Sequence, residues 1–239
     1  IARLALAPSG GQAADLLLSL QQVAGHEQAE KTRKRLIRTV EDAQRADGTW
    51  SRVSNGPLQR LIVETAQAAY TLPADSRAKK RAAGALERFL PRIDDPYTAA
   101  VVLATGLVGE SATETLTKLL LVDGELAKLP SGVVNTWGAP PARAEYLAWG
   151  TLALSDEQGG EARGEAVAEL LQGYDAVWGF GAGPADPVAL DAIASALDAL
   201  AKPVDVTLKR DGKTAGTVRV DPKDPAALLM DLPTGTATW

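Results

Sequence analysis

Charge runs along this chain in alternating blocks, and that alternation limits the possible folds more than any other feature. Residues 11–24 carry one charged side chain, Asp15, whereas residues 28–47 carry ten: Glu30, Lys31, Arg33, Lys34, Arg35, Arg38, Glu41, Asp42, Arg45 and Asp47. Residues 58–72 hold two, Arg60 and Glu64, and residues 75–90 hold seven. Residues 96–109 hold none and 111–127 four. Residues 141–154 hold Arg143 and Glu145, 160–173 hold four, and 187–201 hold Asp191 and Asp198. A helix with one polar face belongs at a surface, while a helix apolar nearly all round has to be enclosed. In 28–47 the apolar residues Leu36, Ile37, Val40 and Ala43 make a single stripe. Strict alternation predicts helical hairpins in two concentric layers, the charge-poor helices inside. Their starts, near 12, 58, 96, 141 and 187, repeat at the period of helical-hairpin arrays. The expected fold class is mainly α: a two-layer α/α toroid of helical hairpins with a short C-terminal β segment.

The punctuation agrees. Pro57, Pro96, Pro140-Pro141 and Pro187 open inner helices, where a missing N–H costs nothing. Asp95, Asp186 and Asp75 are candidate N-caps. After Pro203 the period becomes two: Val204, Val206 and Leu208 alternate with polar residues, Asp211-Gly212 signals a hairpin turn, and the strand returns at 217–220. A further strand is expected at 227–232, and an initial one at 1–7. The expected organisation is 1–8, a strand from a flanking β domain; 9–202, the toroid; and 203–239, a partial β domain. A few strands alone are marginal, so the chain reads as a piece of a longer protein.

Composition removes much chemistry. There is no cysteine and one histidine in 239 residues. Thiolate nucleophiles, Cys-ligated zinc and iron–sulfur clusters are excluded, and a His-based metal site is disfavoured. No cofactor is expected. The net charge of −5 argues against a dedicated nucleic-acid binder. The longest uncharged apolar stretch, 99–109, is too short to span a bilayer.

Three tryptophan loops, Asp47-Gly48-Thr49-Trp50, Asn135-Thr136-Trp137-Gly138 and Trp178-Gly179-Phe180-Gly181, each follow an outer helix. In a two-layer ring they fall on one rim, either plugging gaps between hairpins or offering an aromatic surface to a partner or glycan. Trp50, Trp137, Trp178 and Phe180 are the candidate binding rim. Trp149, inside an inner helix, reads as core. Asp94-Asp95 reads as a cap with a solvated neighbour, since glycosidase carboxylates face each other across a cleft. Glu64, Glu145, Asp191 and Asp198 sit on apolar helices, either poised in a cavity as site candidates or, as expected, paired with Arg60 and Arg143 or meeting solvent. His26 reads as a loop residue, and the basic runs 31–38 and 77–81 as solvated outer faces.

These residues resemble a known family. Gln44-Arg45-Ala46-Asp47-Gly48-Thr49-Trp50-Ser51 resembles signatures of the helical toroids in terpene cyclases, prenyltransferase β subunits and macroglobulin/complement thioester domains. Trp178-Gly179-Phe180-Gly181, followed by Asp186, Val188-Ala189-Leu190 and the stretch 194–200, is similar to the run opening the last inner helix of the α2-macroglobulin/complement thioester domain. In that family the toroid is inserted into a CUB-like β domain, as strands at both ends here imply. The family's reactive element, Gly-Cys-Gly/Ala/Thr-Glu-Gln, meets Pro8-Ser9-Gly10-Gly11-Gln12 in this chain. Gly10, Gly11 and Gln12 form a degenerate thioester region without sulfur, so covalent capture through it is excluded.

The resemblance implies a non-enzymatic domain of a large bacterial-type macroglobulin-like protein, extracellular or periplasmic. Its implied role is protease entrapment or domain packing without a thioester. The implied partners are other domains of the same polypeptide and proteases. A prenyltransferase would need cysteine among its zinc ligands. A squalene-type cyclase would need Asp-x-Asp-Asp, and residues 92–95 lack the first aspartate. A carbohydrate-active or glycan-binding α/α toroid is the alternative.

Overall fold

A computed structural model describes residues 9–20, 27–175, 177, 179–181, 185–198, 204–210 and 213–220. The expected strands at 1–7 and 227–232, His26 and Trp178 lie outside the described residues. The molecule is mainly helical, as its charge pattern predicts. The chain divides into two units, 1–193 and 194–239, a boundary inside the last helix rather than after it.

In the first unit the charge-poor segments become α1 (Gly10–Leu20), α3 (Leu58–Thr71), α5 (Pro96–Ala104), α7 (Arg143–Ala153) and the start of α9 (Ala185–Asp198). The charge-rich segments become α2 (Glu27–Asp42), α4 (Arg77–Phe89), α6 (Glu110–Leu120) and α8 (Asp156–Gln172). Helices α1, α3, α5 and α7 pack side by side in that order, and each carries the charged helix that follows it. The enclosed helices match the prediction: α5 buries every residue from Pro96 to Leu103, and α7 every residue from Glu145 to Thr151. The outer helices bury only a stripe, Leu36 and Val40 in α2 and Ala78, Ala82, Ala85 and Leu86 in α4.

The end helices depart from that scheme. α1 buries Ala13, Ala14, Leu17 and Leu18 but leaves Gln12 and Ser19 exposed. α9 buries Ala185, Val188, Ala189 and Ala192 while Leu190 is exposed. One side chain reaches beyond its neighbours in the row: Tyr70 of α3 packs edge-on against Trp149 of α7 and donates a 2.5 Å hydrogen bond to Asp191 of α9.

The caps follow local chemistry. Asp95 accepts from the Thr98 N–H at 2.8 Å and Pro96 opens α5, as expected, with Asp94 exposed beside them. Asp75 is not the cap of α4; Ser76 accepts from Lys79 N–H instead, and its hydroxyl donates to Glu41 of α2. Asp186 lies inside α9 rather than before it, and its Oδ1 accepts from the Phe180 N–H at 2.7 Å.

One element was not expected. The helix predicted over 111–127 ends at Leu120, and a small antiparallel pair follows, β1 (Leu121–Val122) and β2 (Glu125–Leu126). Asp123 and Gly124 turn it with φ of 53° and 86°, the positive values of a two-residue hairpin. The Leu126 methyls then sit 3.0–3.1 Å from where a Cβ on Gly150 would stand, so the hairpin docks closely on α7 at its glycine.

Within the second unit, β3 (Val204–Arg210) pairs antiparallel with β4 (Lys213–Val220), Val204 opposite Val220, with an irregularity between Leu208 and Lys209. The returning strand begins four residues earlier than the alternation suggested.

Candidate functional site

The tryptophan loops are built by polar anchors and by glycines that only fit as glycine. In the first loop, Asp47 Oδ1 accepts from both the backbone and the hydroxyl of Thr49. This holds the Asp47 carboxyl below its ordinary range. Gln44 donates to the carbonyls of Gly48 and Ala78, tying the loop to α4. Gly48 has φ of 88°, and a Cβ there would lie 2.7 Å from the Arg81 carbonyl oxygen. Trp50 is 4% exposed, and its indole N–H donates to the Val40 carbonyl at 2.7 Å, one of the last-turn acceptors that α2 cannot satisfy itself. Trp50 is thus a plug between hairpins rather than an exposed rim residue.

In the second loop, Asn135 Oδ1 accepts from the N–H groups of Trp137 and Ala139. Its amide donates to Glu145, which is 2% exposed and also accepts from Tyr97 at 2.7 Å. Glu145 therefore neither pairs with Arg143 nor meets solvent as expected; Arg143 binds Glu169 of α8. Burial pushes the Glu145 carboxyl upward, and it does the same to Asp95. Trp137 is 56% exposed, with the Arg52 guanidinium 5.2 Å from its ring centre. In the third loop Phe180 is 7% exposed and packs against Tyr174, so it belongs to the core rather than to a rim.

Two of the candidate sets meet. Ser9, Gly10, Gly11 and Gln12 line a cavity of about 330 Å³ together with Trp50, Arg52, Arg60, Glu64, Gln67, Thr136 and Trp137. Ser9 and Gln12 form a reciprocal cap: the Ser9 N–H donates to Gln12 Oε1 at 3.0 Å, and the Gln12 N–H to Ser9 Oγ at 3.4 Å. A Cβ on Gly10 would collide with that of Ala43, and one on Gly11 would stand 2.6 Å from Arg52 Nε. Both glycines are thus explained by packing. Arg52 binds Asp15 through two nitrogens and the Gly11 carbonyl through one of them. Arg60 pairs with Glu64, as expected, and donates to the Thr136 carbonyl.

The signals for this site were partly readable. Ser-x-x-Gln before an apolar run is a capping-box pattern. Arg52 was missed, because its partner Asp15 lies 37 residues away and no local pattern joins them. Among the described residues no group of acidic or histidine side chains fits a metal ion, and no helix is long and apolar enough to cross a membrane. No protein-family model and no curated protein matches the chain.

Proposed function

We propose that this chain is a non-enzymatic helical domain of a larger macroglobulin-like protein, its hairpins closing into a toroid. It works by packing against neighbouring domains and releasing them when the protein is cut. The observation that carries this reading is the Ser9–Gln12 turn. It stands where the resemblance puts the thioester, yet it holds no sulfur and spends its glutamine on capping α1. Capture by such a domain is steric rather than covalent. The order of hairpins, each enclosed helix followed by its charged cover, supports the same reading. On this proposal the protein acts outside the cytoplasm, and its partners are domains of its own polypeptide and the proteases that cut it.

The glycan-processing alternative needs two carboxylates free to act across a cleft. Glu64 is held by Arg60 and by the Arg52 N–H, and Glu145 by Tyr97 and Asn135, which favours the packing role. The test is limited proteolysis of the intact polypeptide. The cut protein should shrink in hydrodynamic radius and hold the protease away from large substrates while it still cleaves small peptides. The protease should run free of it on a denaturing gel. Glycan hydrolysis that disappears in Glu64→Gln, with no trapped protease, would overturn the proposal.

A further inference from the structure

The cavity between the start of α1 and the Trp137 loop carries an imbalance between donors and acceptors. Its acceptors are engaged. Glu64 accepts from Arg60 Nε on one oxygen and from the Arg52 N–H on the other, at 2.8 and 2.7 Å. Behind it, Asp15 accepts from Arg52 on both oxygens and from Gln67 Nε2. Its donors are not. Arg52 bonds through Nη1 and Nη2 and Arg60 through Nε and Nη2, so Arg52 Nε and Arg60 Nη1 meet no acceptor among the described residues. The first-turn amides of Gly10 and Gly11 have no intrahelical partner, as helix geometry requires.

Thr136 supplies an independent observation. It lines the same cavity, is 1% exposed, and its hydroxyl has no hydrogen-bond partner. A buried polar group left unpaired is costly and uncommon, and each instance calls for a cause. Two guanidinium edges and an unpaired hydroxyl at one cavity all ask for oxygen atoms.

The walls narrow the ligand further. Ala14, Ala43, Ala68 and the two indoles of Trp50 and Trp137 line the same space, and Trp137 stands half in solvent at its edge. The charges of Arg52 and Arg60 are matched by Asp15 and Glu64 before anything binds. A multiply charged inorganic ion would therefore be poorly served, while one negative charge on an apolar body suits both the donors and the walls. Planar guanidinium groups pair with carboxylates in fixed geometry. The volume is that of a small-molecule pocket.

We propose that this cavity is a binding site for an organic monocarboxylate, its head on Arg52, Arg60 and Thr136 and its apolar body against Trp50 and Trp137. The source is either a free small acid or a glutamate side chain presented by a peptide segment. The inference stands on the cavity alone and does not depend on the macroglobulin reading.

Calorimetric titration of the whole chain tests it, with four probes: phenylacetate, phenylacetamide, the capped peptide Ac-Ala-Glu-Ala-NH2, and inorganic phosphate. Saturable binding of phenylacetate or of the peptide is expected, and which one binds identifies the source. The uncharged amide should bind about tenfold more weakly or worse, since charge-assisted bonds to the head are lost. Thr136→Val keeps the side-chain shape, so it should weaken phenylacetate or peptide binding severalfold without lowering the thermal midpoint of the free protein. Arg60→Gln should weaken it more; because it also strands Glu64, Thr136→Val decides the matter if that variant fails to fold. The proposal is overturned by an absence of saturable binding of both carboxylates, by an amide or phosphate that binds as tightly, or by undiminished binding in Thr136→Val.

Discussion

Gly11 and Glu145 are single residues whose surroundings leave them little freedom, for opposite reasons. A methyl group on Gly11 would meet the Arg52 side chain at 2.6–3.0 Å, in the middle of the chain rather than at its tip. Gly11→Ala must therefore push Arg52 off Asp15. We expect a loss of about 1–3 kcal/mol in denaturant unfolding, the usual cost of overpacking. Arg52→Ala in the same background should make the alanine nearly neutral. Glu145 is buried with two donors, and desolvation raises its carboxyl above the unfolded value. The sign follows from linkage: the native state binds the proton more tightly than the unfolded chain does. That contribution to stability is full below the ordinary glutamate range and is lost as pH rises through the raised native value. Glu145→Gln should remove its share of this slope, leaving the like-signed share of the raised Asp95 and the opposite ones of the lowered Asp47 and Glu169. Chemical denaturation from pH 4 to pH 8 would read it; an unchanged slope would mean that Glu145 is not the group responsible.

At the scale of elements, the hairpin β1–β2 and the helix α4 offer a matched pair of glycines. Gly124 sits at φ of 86° and Gly84 inside α4, and a Cβ at either meets nothing within 4 Å. With sterics absent, only backbone preference remains. Gly124→Ala should destabilise by about 1–2 kcal/mol, because an L side chain disfavours the left-handed region. Gly84→Ala should stabilise by about 0.5–1 kcal/mol, the difference in helix propensity. Thermal unfolding of the two variants should thus move in opposite directions.

The same hairpin marks the limit of what was legible. Alternating charge revealed every long helix because it records burial, and burial is a property of a whole face. It could not stop α6 at Leu120, since Leu121, Val122 and Leu126 continue an apolar pattern that suits a helix and a strand alike. The Asp123-Gly124 dipeptide was the available signal, the same pair that the sequence carries at 211–212. At the site, glycines and tryptophans pointed to the right loops. Their roles were hidden, because Trp50 answers to a carbonyl of α2 and Gly11 to an arginine from another hairpin. Such pairings depend on how the hairpins stack, and no local spacing encodes them.

For the first unit as a whole, stability divides between contacts within a hairpin and contacts along the row. The two core clusters reflect this: one gathers around α1 to α4, the other from α3 to the start of α9 with Leu18 of α1 joining it. Near-neighbour arrays of this kind open from their ends, because an end helix has one neighbour fewer. α9 is such an end, half-covered and with Leu190 in solvent. What ties it across the row is Tyr70, whose part-buried hydroxyl donates to Asp191 and whose ring packs edge-on against Trp149. Desolvation and the adjacent carboxylate push the Tyr70 hydroxyl well above its ordinary value, so it stays protonated and remains a donor throughout the usable pH range. Tyr70→Phe preserves the ring contact and removes only the bond. Global stability should fall by about 1.5–3 kcal/mol, as for a hydrogen bond to a charged group. Native-state hydrogen exchange should show that same loss in α9 and in every amide that exchanges only through openings that break this bond, global unfolding included, while amides that exchange by local openings elsewhere keep theirs to within a few tenths. Undiminished protection in α9 would mean that the bond to Asp191 is not what holds the last member of the row in place.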